Sequence, residues 1–368
     1  MARDDLHLVR VNGAGGRGGV AVESAERRDV DAPIGGPEAT TLTVPAAAPS
    51  TSRWRHRHVL DLDDFSRDEI EYVLETTDAM REVLARDVPR VPALRGTTVA
   101  TLFYEASTRT RASFELAGKV LGADVINVSA SGSSVEKGES LVDTVKTLRA
   151  IGVNILIMRH KSSGAPYLAA AHTDAAVLNG GDGWHAHPTQ ALLDLYTMQS
   201  RLGGLRGRRV AIVGDIAHSR VARSDIWGLS IMGAEVVLCA PPTLLPAGLG
   251  GRVQTEQEEV ALPGVTVEPE IERALRGADV VMTLRLQHER MQSGLLPSLR
   301  EYSRRFGISS ERVALAAPHA LVMHPGPMNE GVEIAPEVAR SVQSVIEEQV
   351  TNGVAVRMAL LYLIGRGT

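Results

Sequence analysis

Short runs of β-branched and aliphatic residues alternate along most of the chain with stretches whose apolar positions recur every three or four residues. The run Thr97 to Phe103 is followed by apolar positions at Phe114, Ala117 and Leu121, closed by Gly122 where a helix C-terminal cap belongs. Upstream, Ser66 with Glu69 reads as a capping box ahead of Ile70, Val73, Leu74 and Thr77 at helical spacing. Further strands are predicted at Asp124 to Val128, Asn154 to Met158 and Ala175 to Leu178. Helices are predicted around Leu141, Val145 and Leu148, and again over Ala191 to Arg201. A second series opens at Arg209, with strands at Val210 to Val213, Glu235 to Cys239, Val265 to Val267, Val280 to Leu284 and Leu321 to His324. The last stretch, Pro336 to Ile364, is predicted as a helix with an apolar face at Val342, Val345, Ile346, Val350, Val354 and Met358.

Strands alternating with helices imply an α/β fold with two doubly wound domains built on mainly parallel sheets. The length, 368 residues, agrees with two domains at roughly 150 residues each. Residues 1–57 differ: a Gly-rich run from Gly13 and a Pro/Ala/Thr/Ser stretch carry no apolar periodicity, so a disordered N-terminal extension is expected. That extension lacks an apolar core, and Asp4, Asp5, Glu23 and Glu26 argue against a transit peptide. The cluster from Arg53 to His58 reads as a solvated basic linker, with contact to an acidic partner as the alternative.

Composition narrows the function classes. A net charge of -5 offers no global field for nucleic acid, and 4% aromatics argue against base-stacking platforms. The single cysteine, Cys239, excludes an intrachain disulfide framework and a multi-Cys metal site, as suits a reducing, cytoplasmic setting. No run of roughly eighteen apolar residues occurs, so no membrane span is expected.

The candidate chemistry centres on the turn after the first predicted strand. Ser107, Thr108 and Thr110 supply hydroxyls and Arg109 a guanidinium at a helix N-terminus, where unpaired N–H groups and the helix dipole favour an oxyanion. An ordinary Ser N-cap beside two solvated arginines, Arg109 and Arg111, is the alternative. Other polar clusters also follow strands directly or within one loop: Ser133 to Lys137, Arg159, His187 to Gln190, Asp215 to Arg220, Arg285 to Gln287 and His324 to Pro327. In open parallel sheets ligands bind beyond the carboxyl ends of the strands, so these clusters are expected to converge on one interdomain cleft.

Three segments, Ser107-Thr108-Arg109-Thr110-Arg111, His187-Pro188-Thr189-Gln190 and His324-Pro325-Gly326-Pro327, together resemble the aspartate and ornithine carbamoyltransferases. The resemblance runs from about Val59 to Ile364. Met282 to Gln287 resembles the segment with which the aspartate branch holds its dicarboxylate, and the His-Cys-Leu-Pro signature of the ornithine branch is absent. The resemblance implies a transfer of the carbamoyl group of carbamoyl phosphate to L-aspartate, an early step of pyrimidine biosynthesis, with no cofactor, no metal and no covalent intermediate. It also implies a carbamoyl phosphate-binding domain over 58–190, completed by a C-terminal helix (342–368) packing back on it, and an aspartate-binding domain over 191–341.

Residue by residue, the resemblance implies that Ser107, Thr108, Arg109 and Thr110 hold the phosphate. Arg159, His187, Gln190, Gly326 and Pro327 would meet the carbamoyl end. Ser133 and Lys137 would reach from a mobile loop into a neighbouring subunit's site, which makes a homotrimer the working unit; a solvated crossover is the bland alternative for that loop. Arg220, Arg285, Gln287 and Lys137 would bind L-aspartate, two guanidiniums suiting two carboxylates. Arg109, Thr110, Lys137, Arg159 and His187 would be catalytic, the carbonyl oxygen gaining charge against Thr110, Arg159 and a neutral His187. A regulatory chain or another pathway enzyme is a candidate partner, whereas nucleic acid and membrane are not expected.

Two other readings compete. A dinucleotide-dependent oxidoreductase would need G-x-G-x-x-G after Arg209 to Val213, but Gly214 is followed by Asp215-Ile216-Ala217-His218-Ser219. A non-catalytic assembly member would be expected to have lost Arg109, Lys137, Arg159 or His187, and all four are present. Two departures from the family pattern are Glu330, where an Arg is common nearby, and Asp225, where Asn is expected.

Overall fold

The computed structural model describes residues 53–129, 138–246, 265–286, 295–296 and 298–366. Residues 1–52 of the expected extension, and the candidates Ser133, Lys137 and Gln287, lie outside the described residues. Among the described residues no helix is long and apolar enough to cross a membrane.

The capping box expected at Ser66 is formed. Its hydroxyl accepts from the Glu69 N–H at 3.3 Å, and the Glu69 carboxylate accepts from the Ser66 N–H at 2.8 Å. It starts α1 (Arg67–Leu84), whose Ile70, Val73, Leu74 and Thr77 are buried. Arg53 to His58 is not the solvated linker that its charge suggests. His56 stacks on Phe65 at 4.0 Å between ring centroids, Trp54 packs edge-on to both, and Arg53 and Arg55 pair with Glu75 and Glu69 on α1. Aromatic burial outweighs the solvation of the intervening arginines there.

Next come β1 (Thr98–Phe103), α2 (Thr108–Val120), β2 (Asp124–Ser129), α3 (Leu141–Ala150), β3 (Ile155–His160), α4 (Ala165–Ala170) and β4 (Ala176–Asp182). They form a parallel sheet in the order β2-β1-β3-β4. The alternation of side chains along β1 and β3 separates two cores. Val99, Phe103, Ile155 and Ile157 pack with α1 and α2 residues, whereas Ala100, Leu102, Leu156 and Met158 pack with Val145, Leu148, Ala165 and Ala169 of α3 and α4. Helices on both faces make the sheet doubly wound. Strand β4 runs past the predicted end at Leu178, through Asn179, Gly180 and Gly181, which read in sequence as a turn. A side chain at Gly180 would press on the Met158 carbonyl of β3, so glycine lets the backbones meet there.

Helix α5 (Pro188–Leu202) leads to the second series: β5 (Arg209–Val213), α6 (Arg220–Ile231), β6 (Glu235–Cys239), β7 (Thr266–Val267), α7 (Ile271–Leu275), β8 (Val280–Thr283), α8 (Leu299–Phe306), α9 (Ser310–Val313) and β9 (Leu321–Met323). This sheet is also parallel, in the order β7-β6-β5-β8-β9. The closing helix predicted over Pro336 to Ile364 is two pieces, α10 (Pro336–Ala339) and α11 (Ile346–Gly365). Between them the chain is drawn out to satisfy the edge of β9: Val322 donates to the Gln343 carbonyl at 2.9 Å and accepts from the Val345 N–H at 3.0 Å. Val342 is consequently fully exposed rather than part of an apolar face. Helix α11 packs back on α1, α2 and α5.

Candidate active site

Each sheet order has one switch point, between β1 and β3 in the first and between β5 and β8 in the second. Phe103 is in register with Arg159, and Val213 with Thr283, so the loops leaving these four strands open side by side. A ligand crevice forms where neighbouring parallel strands send their connections in opposite directions. Both crevices give onto a single cleft of about 1140 Å3, lined by residues at and beyond the strand ends of both sheets and by residues of α11.

Of the sequence candidates, Ser107, Thr108, Arg109, Thr110, Arg159, His187, Gln190, Arg220, Arg285, Gly326 and Pro327 all line this cleft. The cradle reading and the cap reading of Ser107 coexist: its hydroxyl accepts from the Thr110 N–H at 3.4 Å while the residue faces the cleft. Arg109 points into the cleft, whereas Arg111 stacks over Phe103 at 5.1 Å. The Arg109 guanidinium rests against the backbone of Gly326, where φ is +65° and a Cβ would overlap it, which brings the cradle onto the loop after β9. The Gly326–Pro327 peptide is cis, and the loop is pinned by His324, whose buried Nδ1 accepts from the Gly326 N–H at 2.7 Å.

Six cationic side chains, Arg109, Arg159, Lys161, Arg220, Arg285 and Arg357, and one carboxylate, Glu105, line the cleft among the described residues. Burial, and then the nearby Arg285, hold the Arg109 pKa below its ordinary value. Such a concentration of positive charge in a low-dielectric crevice is matched by a ligand carrying several negative groups. Glu105 offsets part of it: Oε1 accepts from Arg159 Nη2 at 2.6 Å and from Arg220 Nη2 at 2.5 Å. Arg159 also donates to the Gly180 carbonyl at 2.9 Å, which fixes its guanidinium at the end of β3.

His187 occupies the N-cap position of α5 but its imidazole makes no capping bond. Complete burial, then Arg159, Arg220 and Arg357, push its pKa well below the ordinary value, so the ring is neutral at pH 7. The Thr189 hydroxyl lies 3.5 Å from Nδ1. In the tautomer whose Nδ1 accepts from that hydroxyl, Nε2–H is the remaining donor, the role expected of a neutral imidazole facing a developing oxyanion.

Sequence reasoning missed four residues. Glu105 was part of the cradle stretch but had no role, although a carboxylate beside an anion site must be paired. Arg357 and Gln349, both on α11, are buried at the cleft, and Asp194 lies beneath it; the bonds that tie them there, Gln349 to Asp194 and Arg357 to Ser113, span 155 and 244 residues. Arg357 donates to Ser113 at 2.6 Å and stacks over Phe114. The departures are also resolved: Glu330 pairs at 2.7 Å with exposed Arg340, and Asp225 is buried beside Asp194 with no hydrogen-bond partner for either oxygen among the described residues.

The fold and the cleft define an α/β protein built on two parallel sheets with a cationic cleft at their strand ends, and the chain belongs to the aspartate/ornithine carbamoyltransferase family. Residues 57–200 match the family's carbamoyl-P binding domain and residues 206–364 its Asp/Orn binding domain. Among curated relatives, the aspartate carbamoyltransferase catalytic subunit of Roseiflexus castenholzii is 62% identical over 322 residues, 87% of this chain and 98% of that protein. The corresponding subunit of Chloroflexus aurantiacus is also 62% identical, over 83% of this chain and 97% of its own. Among solved structures, aspartate transcarbamoylase from Trypanosoma cruzi in complex with aspartate and phosphate superposes with a TM-score of 0.73 at 30% identity, covering 83% of this chain and 95% of that one.

Proposed function

We propose that this chain transfers the carbamoyl group of carbamoyl phosphate to the amino group of L-aspartate, giving N-carbamoyl-L-aspartate and phosphate. The observation that carries this reading is the meeting of the Ser107 to Thr110 cradle with Arg159, His187 and Gln190 on one side and Arg220 and Arg285 on the other, in one cleft. A phosphate suits a helix N-terminus with three hydroxyls and an arginine, and a dicarboxylate suits two guanidiniums. Ornithine would bring a second ammonium among six cationic side chains, which disfavours it. The curated relatives at 62% identity are named as aspartate carbamoyltransferase catalytic subunits, which supports the same choice.

In this reading the aspartate amine attacks the carbamoyl carbon. The N–C bond forms, the C–O bond to phosphate breaks, and the amine proton leaves on the departing phosphate. Thr110, Arg159 and neutral His187 donate to the carbonyl oxygen as it gains charge, while Arg109 neutralises the phosphate. Residues 58–190 with 342–368 form the carbamoyl phosphate half and 191–341 the aspartate half. The working unit is a cytoplasmic homotrimer in which Ser133 and Lys137 complete a neighbour's site and Lys137 and Gln287 join the aspartate contacts. Carbamoyl phosphate binds first, its site belonging mainly to one half, and a regulatory chain or a second pathway enzyme is a candidate partner.

The test is turnover of carbamoyl phosphate with aspartate, with ornithine or with no amine, measuring ureido product and phosphate together. Product with aspartate alone is expected. Turnover with ornithine instead would overturn the assignment of Arg220 and Arg285, and Arg285→Ala is expected to raise the KM for aspartate by about 100-fold.

A further inference from the structure

Beneath the cleft floor lies a carboxylate that touches no ligand. Asp194 is fully buried on α5, one turn after Gln190, and does not line the cleft. Its oxygens accept from Gln190 Nε2 at 3.1 and 3.2 Å and from Gln349 Nε2 at 2.7 Å. Gln349 in turn accepts from the His324 N–H through Oε1 at 3.0 Å. Asp225 of α6 and Arg357 of α11 are the other charged groups facing Asp194.

The chemistry of a carboxamide makes this arrangement directional. Burial raises the Asp194 pKa to about 7, against the pull of the Gln349 and Gln190 hydrogen bonds and Arg357; above that pH the ionised carboxylate only accepts, and it draws the NH2 end of each glutamine towards itself, because an amide oxygen turned to it would meet another acceptor. Both carbonyl ends are then forced the other way. That of Gln349 meets the His324 backbone at the base of the Gly326 loop. That of Gln190, which lines the cleft, is presented to whatever occupies it.

We propose that Asp194 is a positioning residue that fixes the Gln190 carboxamide with its oxygen towards the cleft, and so sets the preference for a carbamoyl over an acyl group. The inference rests on the carbamoyl phosphate reading of the cleft. Thr110, Arg159 and His187 are donors, and they suit the substrate's carbonyl oxygen equally well in carbamoyl and acetyl compounds. Only the NH2 group distinguishes the two, and it needs an acceptor. With Oε1 of Gln190 held inward, an amide ligand is satisfied, and a methyl ketone leaves a buried acceptor unpaired. A freely flipping glutamine would offer NH2 as readily as oxygen and lose the distinction.

Two stable compounds that differ only in this group serve as probes: phosphonoacetamide and 2-oxopropylphosphonate. Their binding to the full-length protein is measured by titration calorimetry at about pH 8.5, where Asp194 is ionised, in the wild type, Asp194→Asn, Gln190→Ala and the double variant. The wild type is expected to prefer the amide by about tenfold or more. Asp194→Asn is expected to abolish most of that preference by weakening the amide alone, and to change nothing further once Gln190 is alanine. Equal weakening of both compounds by Asp194→Asn, an unchanged preference, or the same loss in the Gln190→Ala background would each overturn the inference, since each is what a purely structural carboxylate gives. Should Asp194→Asn not be recovered folded, Asp194→Ser, which admits a water, carries the same comparison. Failure of the wild type to bind either phosphonate would instead remove the carbamoyl phosphate reading itself.

Discussion

Glu105, just beyond the end of β1, holds both terminal nitrogens of Arg220, the first residue of α6, at 2.5 and 3.2 Å. The pair joins the cleft edge of one sheet to that of the other, and the same carboxylate oxygen also takes Arg159. Two guanidiniums this close repel unless an anion lies between them.

Replacing Glu105 with Gln keeps the shape and removes that anion. Arg159 and Arg220 are then expected to separate, and the KM for aspartate to rise by about 10- to 100-fold, the range for losing a hydrogen bond to a charged group. Steady-state kinetics checks this; unchanged kcat and KM would show that Glu105 only fills space.

How much of the fold and the cleft is legible in the sequence depends on the range of the interactions involved. The strand ends, the cradle and the order of the polar loops depend on residues adjacent in sequence, and period-two and period-3.6 patterns mark them. The Gln190–Asp194–Gln349 chain does not, because Gln349 lies 155 residues from its acceptor and a glutamine on an apolar helix carries no sign of its partner. Val342 misleads for a related reason. Its spacing fits a helix, but the open edge of β9 competes for the same backbone and wins. At the basic cluster from Arg53, charge alone points to solvent, and it is the intervening Trp54 and His56 that decide the packing.

His187 is neutral in the folded protein because burial and three arginines disfavour its charge. Its unfolded form takes a proton below the ordinary value of 6.5, so it contributes stability above that pH and loses it progressively as pH falls. No catalytic titration of this ring is expected between about pH 6 and 8. His187→Ala is expected to lower kcat by about 10²–10³, the loss of one oxyanion donor, without moving the wild-type pH profile. A profile whose acid limb disappears in the variant would assign the ring a proton-transfer role instead.

Asp225 carries the opposite sign. Burial, and then Asp194, raise its pKa well above the ordinary 3.8. The folded state therefore keeps a proton that the unfolded state releases, and stability falls as pH rises from 3.8 towards the folded value, by about 1.4 kcal/mol per pH unit at most. Asp225→Asn removes this dependence. Its Tm is expected to exceed the wild type by a margin that grows with pH across that window, by roughly 2 °C per unit. A constant margin from about pH 5 to 8 would place the penalty elsewhere.

Gly214 immediately follows β5 at the second switch point, with φ at +133°, and a Cβ there would come within 3.0 Å of the Leu284 carbonyl and 3.1 Å of its Cβ. The obstruction is mainly backbone, so no side-chain rotation relieves it, and the conformation itself strains any other residue. Gly214→Ala is expected to cost about 1–3 kcal/mol. Leu284 immediately precedes Arg285, so the displacement passes straight to the guanidinium proposed to hold aspartate. The KM for aspartate should therefore rise more than the KM for carbamoyl phosphate, whose cradle sits on the other sheet. Thermal unfolding together with the two KM values measures both effects. Equal rises in the two constants would mean that the strain spreads through the whole cleft rather than along β8.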